Sequence, residues 1–200
     1  TDGGPTDIAY PDHLNTRLKG LTIKHYPKMS EPWGSDGMFF HGQNWKAHAV
    51  FSMQDIWTLD PSFLSKIPVW IPFLPVDKEP LPINVIAKLQ FAYKILCFSK
   101  FGYDLLLNPG FASQLIYEGT DVEIFKPRDK MEARKKLGIP QDVFLWSMVG
   151  ANKENPPRKG FQEALEAFKM FYDKHPEAAI LFHIQQRSPA GFPVREYANY

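Results

Sequence analysis

"PINVIAKLQFAYKILCFSKFGYDLLLNPGFASQLIYEG", residues 82–119, decides how this chain is built. Ile83, Ile86, Ala87, Gln90 and Phe91 fall near a 3.6-residue repeat, and Pro82 suits a first helical turn, so the stretch opens as a helix. "ILCFSK" follows as a short apolar strand, "KFGYDLLLN" as a second helix stopped by Pro109 and Gly110, and "SQLIYEG" as another strand. Helices alternating with strands predict a parallel sheet covered by helices, an α/β fold.

Towards the amino end, "VWIPFLPVD" (69–77) is apolar and extended. Pro72 and Pro75 disfavour helix there and mark an irregular or edge segment. "HAVFSMQDIWTL" (48–59) reads as a buried strand followed by a functional loop. Residues 1–45 are the least legible. "TDGGPTD" and "SEPWGSDG" are loop-like, and "GLTIKHY" suits a short strand.

Towards the carboxyl end, "EIFKPRD" (123–129) interrupts the alternation. "KMEARKKLGI" is a short charged helix with Gly138 as its stop, and "DVFLWSMVG" is a strongly apolar strand. "FQEALEAFKMFYDKHP" carries one apolar stripe, Phe161, Ala164, Leu165, Phe168, Phe171 and Tyr172, closed by Pro176. "AAILFHI" is the next strand. The reading is of parts of two α/β domains, residues 1–126 and 127–200. The second holds too few strands to complete a doubly wound sheet, so the sequence is expected to be a fragment of a longer enzyme. The alternative is that the last segment packs as a small extension of the first sheet.

The 200 residues carry a formal charge of +1, with 44% apolar and 22% charged residues, which is globular composition. Near-neutral charge argues against non-specific nucleic-acid binding. The single cysteine, Cys97, excludes an intrachain disulfide and is expected to be buried in the core. No apolar run reaches the length of about 20 residues that a membrane-spanning helix needs, and a cytoplasmic location is expected. The six histidines show no metal-ligand spacing, and no metal site is expected.

"MVGANKENPPRKGFQEALEAF" (148–168) holds the candidate binding loop. Ligands of open α/β sheets bind at the carboxyl ends of strands. Gly150 and Ala151 end the strand pattern and let a ligand approach the backbone. The helix that starts near Gly160 offers N–H groups and a positive dipole end to phosphate. Lys153, Arg158 and Lys159 add cations beside it. The same residues also suit a solvated basic loop before a structural helix. Neither a Walker A loop nor a Gly-x-Gly-x-x-Gly fingerprint is present.

"YKILCFSKFGYDLLLNPGF", "LIYEGTDVEIFKP", "ARKKLGI" and "MVGANKENPPRKGFQEALEAF", in that order and spacing, resemble the family 4 (group 1) retaining glycosyltransferases of the GT-B fold. The resemblance covers about residues 50–185. It implies two facing Rossmann-like domains with a UDP- or GDP-linked sugar bound between them as donor substrate, and no further cofactor. It also implies a hydroxyl acceptor on a sugar, lipid or other molecule. Peripheral membrane contact would come through segments preceding this sequence. Lys159 matches the family lysine that holds the donor diphosphate. Ala151 and Asn152 stand where the family has an arginine, leaving Arg158 or Lys153 to substitute. Gly150, Asn152, Lys153, Arg158 and Lys159 are thus the donor-binding candidates.

The family's "PHGVD" reads "YEGTD" here, with Glu118 replacing His, and Asp121 is given a structural role. The end of "FSMQDIWTL" corresponds to the strand end that faces the donor sugar. Gln54 and Asp55 stand there as the catalytic candidates, with Asp55 alternatively a loop carboxylate capping a turn. Asp77 is a further loop residue that could face an acceptor. Retaining transfer develops charge on the leaving diphosphate, which fixed cations and a helix start would stabilise. No Asp-x-Asp motif is present, which disfavours transfer through a carboxylate-bound metal. The rival from another class is a non-catalytic nucleotide- or sugar-binding module, separated from the first by donor turnover.

Overall fold

The computed structural model describes residues 6–9, 22–185 and 189–198. The chain forms two compact units, Thr1–Thr120 and Asp121–Tyr200. In the first, strands β1 (Thr6–Ala9) and β2 (Thr22–His25) form an antiparallel pair. Helix α1 (Ser35–Asn44) follows. A four-stranded parallel sheet then runs in order β3 (Val50–Met53), β4 (Trp70–Leu74), β5 (Ile95–Cys97) and β6 (Ser113–Leu115). The crossovers are a 3-10 turn (Ile56–Thr58) with the short α2 (Pro61–Leu64), then α3 (Ile83–Leu89), then α4 (Lys100–Leu107). This is the α/β alternation that the sequence predicts.

Alternate residues of the strands share one face with the helices. Trp70, Leu74 and Cys97 have no exposed surface and pack with Leu64, Leu89 and Leu106, also closed to solvent or nearly so. Burying such side chains contributes about 1.5–3 kcal/mol each and holds the helices on the sheet. The Trp70 indole meets its buried hydrogen-bonding need by donating to Ser52 Oγ at 2.9 Å.

β4 departs from expectation. It lies between β3 and β5, with Met53 opposite Phe73 and Leu74 opposite Cys97, despite carrying Pro72. The missing N–H forgoes one ladder bond of about 1 kcal/mol, less than the burial gained by Trp70 and Leu74 alone. Within α4, where the helix packs on β5, Gly102 is required by space. A Cβ there would stand 2.6 Å from Cys97 Sγ and 2.8 Å from Val76 Cβ. Ser99 caps α4, its hydroxyl accepting from the Gly102 N–H at 3.0 Å.

α1 lies in a stretch that reads as loop. Its start is set by Asp36, which is buried and accepts from the N–H groups of Ser30, Glu31 and Gly37 and from the Ser30 hydroxyl, at 2.7–2.9 Å. Met38 and Phe39 on the helix pack against the core.

In the second unit, α5 (Lys130–Leu137) ends at Gly138, whose φ of 69° closes the helix as expected. β7 (Leu145–Val149) pairs in parallel with β8 (Ala179–His183), with α6 (Phe161–Tyr172) as the crossover. Phe161, fully buried, and Leu165 anchor α6, with Met148 and Phe182 from the strands beside them. A last short helix, α7 (Val194–Tyr197), is tied to α6 by the Tyr197 hydroxyl, which donates to Glu166 Oε1 at 2.6 Å. Among the described residues no helix is long and apolar enough to cross a membrane.

Candidate functional site

The strand-to-helix loop of the second unit begins at Gly150, whose N–H continues the β7 ladder by donating to His183 O at 3.3 Å. Phe161 lies beneath Gly150. A Cβ at Gly150 would sit 3.4 Å from the Phe161 ring and 3.9 Å from Lys159 Cγ. The stem of Lys159 therefore runs back beside the strand end, which brings Gly150 and Lys159 together across the loop.

α6 starts at Gly160, in the left-handed region at φ 68°, and no side chain caps it. Among the described residues no side chain accepts from the amide groups of its first turn, and the helix dipole favours an anion there. Glu163 stands in that turn, its Oε2 3.6 Å from where a Gly160 Cβ would be, and supplies a weak competing negative charge.

The cations of the loop differ from one another. Lys153 and Lys159 are exposed and make no ion pair among the described residues. Arg158 Nε is paired with Glu154 Oε1 at 2.8 Å, an exposed contact that holds the guanidinium within the loop. Such surface pairs contribute about 0–1 kcal/mol, so the arginine is released readily to a stronger anion. Glu154 is the one anion between Gly150 and Gly160, and it is committed to one of the three cations.

Asn152 has a structural task. It is 2% exposed, and its amide donates to Phe192 O at 2.9 Å and Gln185 O at 3.4 Å while its Oδ1 accepts from the Phe192 N–H at 2.8 Å. With its side chain committed to the backbone before α7, Asn152 offers a ligand its main chain only. It fixes the loop's first residues while the cations remain on the outside.

Gln54 and Asp55 lie in the first unit, directly after β3, where parallel strands bring their carboxyl-end loops together. Gln54 is half-buried and Asp55 exposed, and neither side chain has a hydrogen-bond partner among the described residues. The capping alternative for Asp55 is not what the side chain does. Its backbone carbonyl, rather than its carboxylate, accepts from the Thr58 hydroxyl at 2.6 Å and the Thr58 N–H at 3.2 Å. Asp77 is exposed in the loop after β4. Asp121 Oδ1 accepts from the N–H groups of Glu123 and Ile124 at 2.9 and 3.2 Å, which is turn structure.

Next to Gln54 and Asp55 stand two aromatic side chains that core-oriented reading passes over, Trp33 and Trp57, with ring centroids 6.4 Å apart. Behind them, the Lys88 ammonium donates to Trp57 O at 2.7 Å. Burial pulls the Lys88 pKa down, against the opposing attraction of Asp60. A hollow of about 180 Å³ lined by Met38, Phe39, Val50 and Lys66 lies at the amino ends of β3 and β4, away from these loops. It lies at the end of the sheet opposite the strand carboxyl ends where ligands of open α/β sheets bind. Among the described residues no three His, Cys, Asp or Glu side chains gather to hold a metal ion.

No protein-family model matches the chain, and no curated protein sequence matches it.

Proposed function

We propose that this chain serves a retaining, metal-independent glycosyl transfer in which the loop from Gly150 to Gly160 seats the diphosphate of a nucleotide-sugar donor. The observation that carries the reading is the start of α6 at a strand's carboxyl end, without a side-chain cap and flanked by Lys153 and Lys159, which are exposed and make no ion pair among the described residues. Backbone N–H groups and a helix dipole bind an anion without a metal, and charge-assisted hydrogen bonds from lysine strengthen the hold. The order of motifs from residue 94 to 168, similar to that of the family 4 glycosyltransferases, supports the same ligand.

Transfer with retention passes through an oxocarbenium-like state while negative charge grows on the departing diphosphate. Fixed positive groups at that oxygen lower the barrier because they are already oriented when the charge appears. Lys159 and Lys153 supply that stabilisation. Arg158 adds to it once it leaves Glu154. Gln54 and Asp55, whose side chains have no hydrogen-bond partner among the described residues, supply an amide and a carboxylate to the transferred sugar. The GT-B arrangement, two Rossmann-like domains enclosing the donor, is part of this proposal.

Titration with UDP and GDP tests it. Wild-type protein is expected to gain thermal stability with ligand concentration, since a ligand that binds only the native state stabilises it. Lys159→Ala is expected to weaken the affinity by about tenfold, the value of one charge-assisted hydrogen bond. Equal affinity in wild type and variant would remove Lys159 from the site. Binding of donor sugars without transfer or hydrolysis would leave a binding module instead.

A further inference from the structure

We propose that Trp33 and Trp57 form a carbohydrate-stacking platform, the subsite for a sugar-bearing acceptor. Its identification as an acceptor subsite rests on the proposed glycosyl transfer; the sugar binding itself does not. The two indoles are 54% and 57% exposed, with rings 6.4 Å apart and inclined at 59°. Exposed apolar side chains are common on this chain, but two indoles side by side make a shared apolar surface beside a strand's carboxyl end, where ligands of such sheets bind.

The platform is held from beneath by groups that also build the local fold. Trp33 lies in the turn fixed by Glu31, whose Oε2 accepts from the N–H groups of Trp33 at 3.0 Å and Ser35 at 2.8 Å. The buried Asp36 holds the other side of the same turn through Ser30 and Glu31. Trp57 is fixed by the buried Ile56 before it and by Lys88 Nζ on its carbonyl. The two segments are joined to each other, since the Asp60 N–H donates to the fully buried Ser35 Oγ at 2.9 Å. Two exposed rings on a rigid support lose little freedom on binding, which favours affinity for a small ligand.

The chemistry of the surroundings selects the occupant. Segments 30–36 and 54–60 hold Glu31, Asp55 and Asp60 besides the buried Asp36, and the cations near them among the described residues are two, Lys88 on the Trp57 carbonyl and Lys66 near Asp60, which balance carboxylates and form no basic track. Single-stranded nucleic acid also stacks on aromatic rings but needs a basic track for its phosphates. An anionic membrane surface needs cations in the same way. A pyranose fits both features. Its C–H face carries the partial positive charge that an indole face attracts, and its hydroxyls donate to a carboxylate such as Asp55.

The test is a ¹H–¹⁵N NMR titration of the full chain, following the indole N–H signals. The probes are trisaccharides of glucose, mannose, galactose and N-acetylglucosamine, and phosphatidylcholine vesicles containing phosphatidylglycerol. At least one trisaccharide is expected to shift the Trp33 and Trp57 indole signals saturably at millimolar concentration. Trp57→Ala is expected to weaken that binding by about tenfold or more, and Trp57→Phe to retain part of it. Trp45→Ala, which removes an exposed tryptophan from the end of α1, is expected to leave it unchanged. No shift with any trisaccharide, or broadening by vesicles alone, would overturn the proposal. UDP and GDP are titrated in parallel. Nucleotide binding without sugar binding refutes the platform and leaves the donor site intact, and sugar binding without nucleotide binding does the reverse.

Discussion

Replacing Asn152 with alanine separates structure from ligand binding in the candidate loop. The Asn152 side chain is 2% exposed and bonded on both sides to Phe192. Alanine leaves the Phe192 N–H, accepted at present by Oδ1, without an acceptor in a buried place, which costs about 1–3 kcal/mol. The Phe192 carbonyl loses the amide but keeps the Val194 N–H at 2.9 Å, so its loss is a single bond of about 1 kcal/mol. The contact to Gln185 O, at 3.4 Å, is long and adds little. The sum is about 3 kcal/mol, felt by the second unit. Amide hydrogen exchange reads it directly. Protected amides of β7 and β8 are expected to exchange about a hundredfold faster in Asn152→Ala. Lys159→Ala, which removes only an exposed cation, is expected to leave those rates alone. Unchanged exchange in Asn152→Ala would refute the structural assignment and return its side chain to the ligand.

Two further outcomes follow from the charges. Glu154→Gln removes the carboxylate that holds Arg158, and affinity for UDP or GDP is expected to rise by about threefold, the scale of an exposed ion pair; weaker binding would show that the pair positions the arginine rather than competing for it. Burial raises the Asp36 pKa, but the hydrogen bonds from Glu31, Ser30 and Gly37 outweigh it and hold the carboxyl below its ordinary 3.8. Its contribution is therefore fully present above pH 3.8 and is lost as the pH falls through the lower native value. The stability gap between wild type and Asp36→Asn is expected to shrink in acid, and a gap constant from neutral pH downwards would contradict this.

Elements with a strong period were legible in the sequence. α6 shows its apolar stripe and α4 its terminating Pro109 and Gly110, and both form where the spacing places them. β4 reads as irregular in the sequence because Pro72 breaks the local rule, whereas burial of its side chains in the assembled sheet decides the matter. α1 was illegible because "GSDG" resembles a turn. Its stability comes from Asp36 reaching back to Ser30 and from core contacts of Met38 and Phe39, which no local pattern displays. Within the candidate site, charge clustering marked the loop but not the division of labour inside it. That Asn152 faces Phe192, forty residues away in sequence, depends on where the chain returns. The pairing of Arg158 with Glu154 is local, at four residues' separation, and a search for opposite charges within the loop would have found it.

The account depends on a diphosphate settling on the first turn of α6. Backbone amide NMR of the chain during titration with UDP and GDP tests this most directly. The account predicts saturable shifts concentrated at Gly150 and at residues 159–163, with Gln162 and Glu163 N–H groups among the most affected. Shifts confined to other strand ends, or none there at saturating nucleotide, would contradict it.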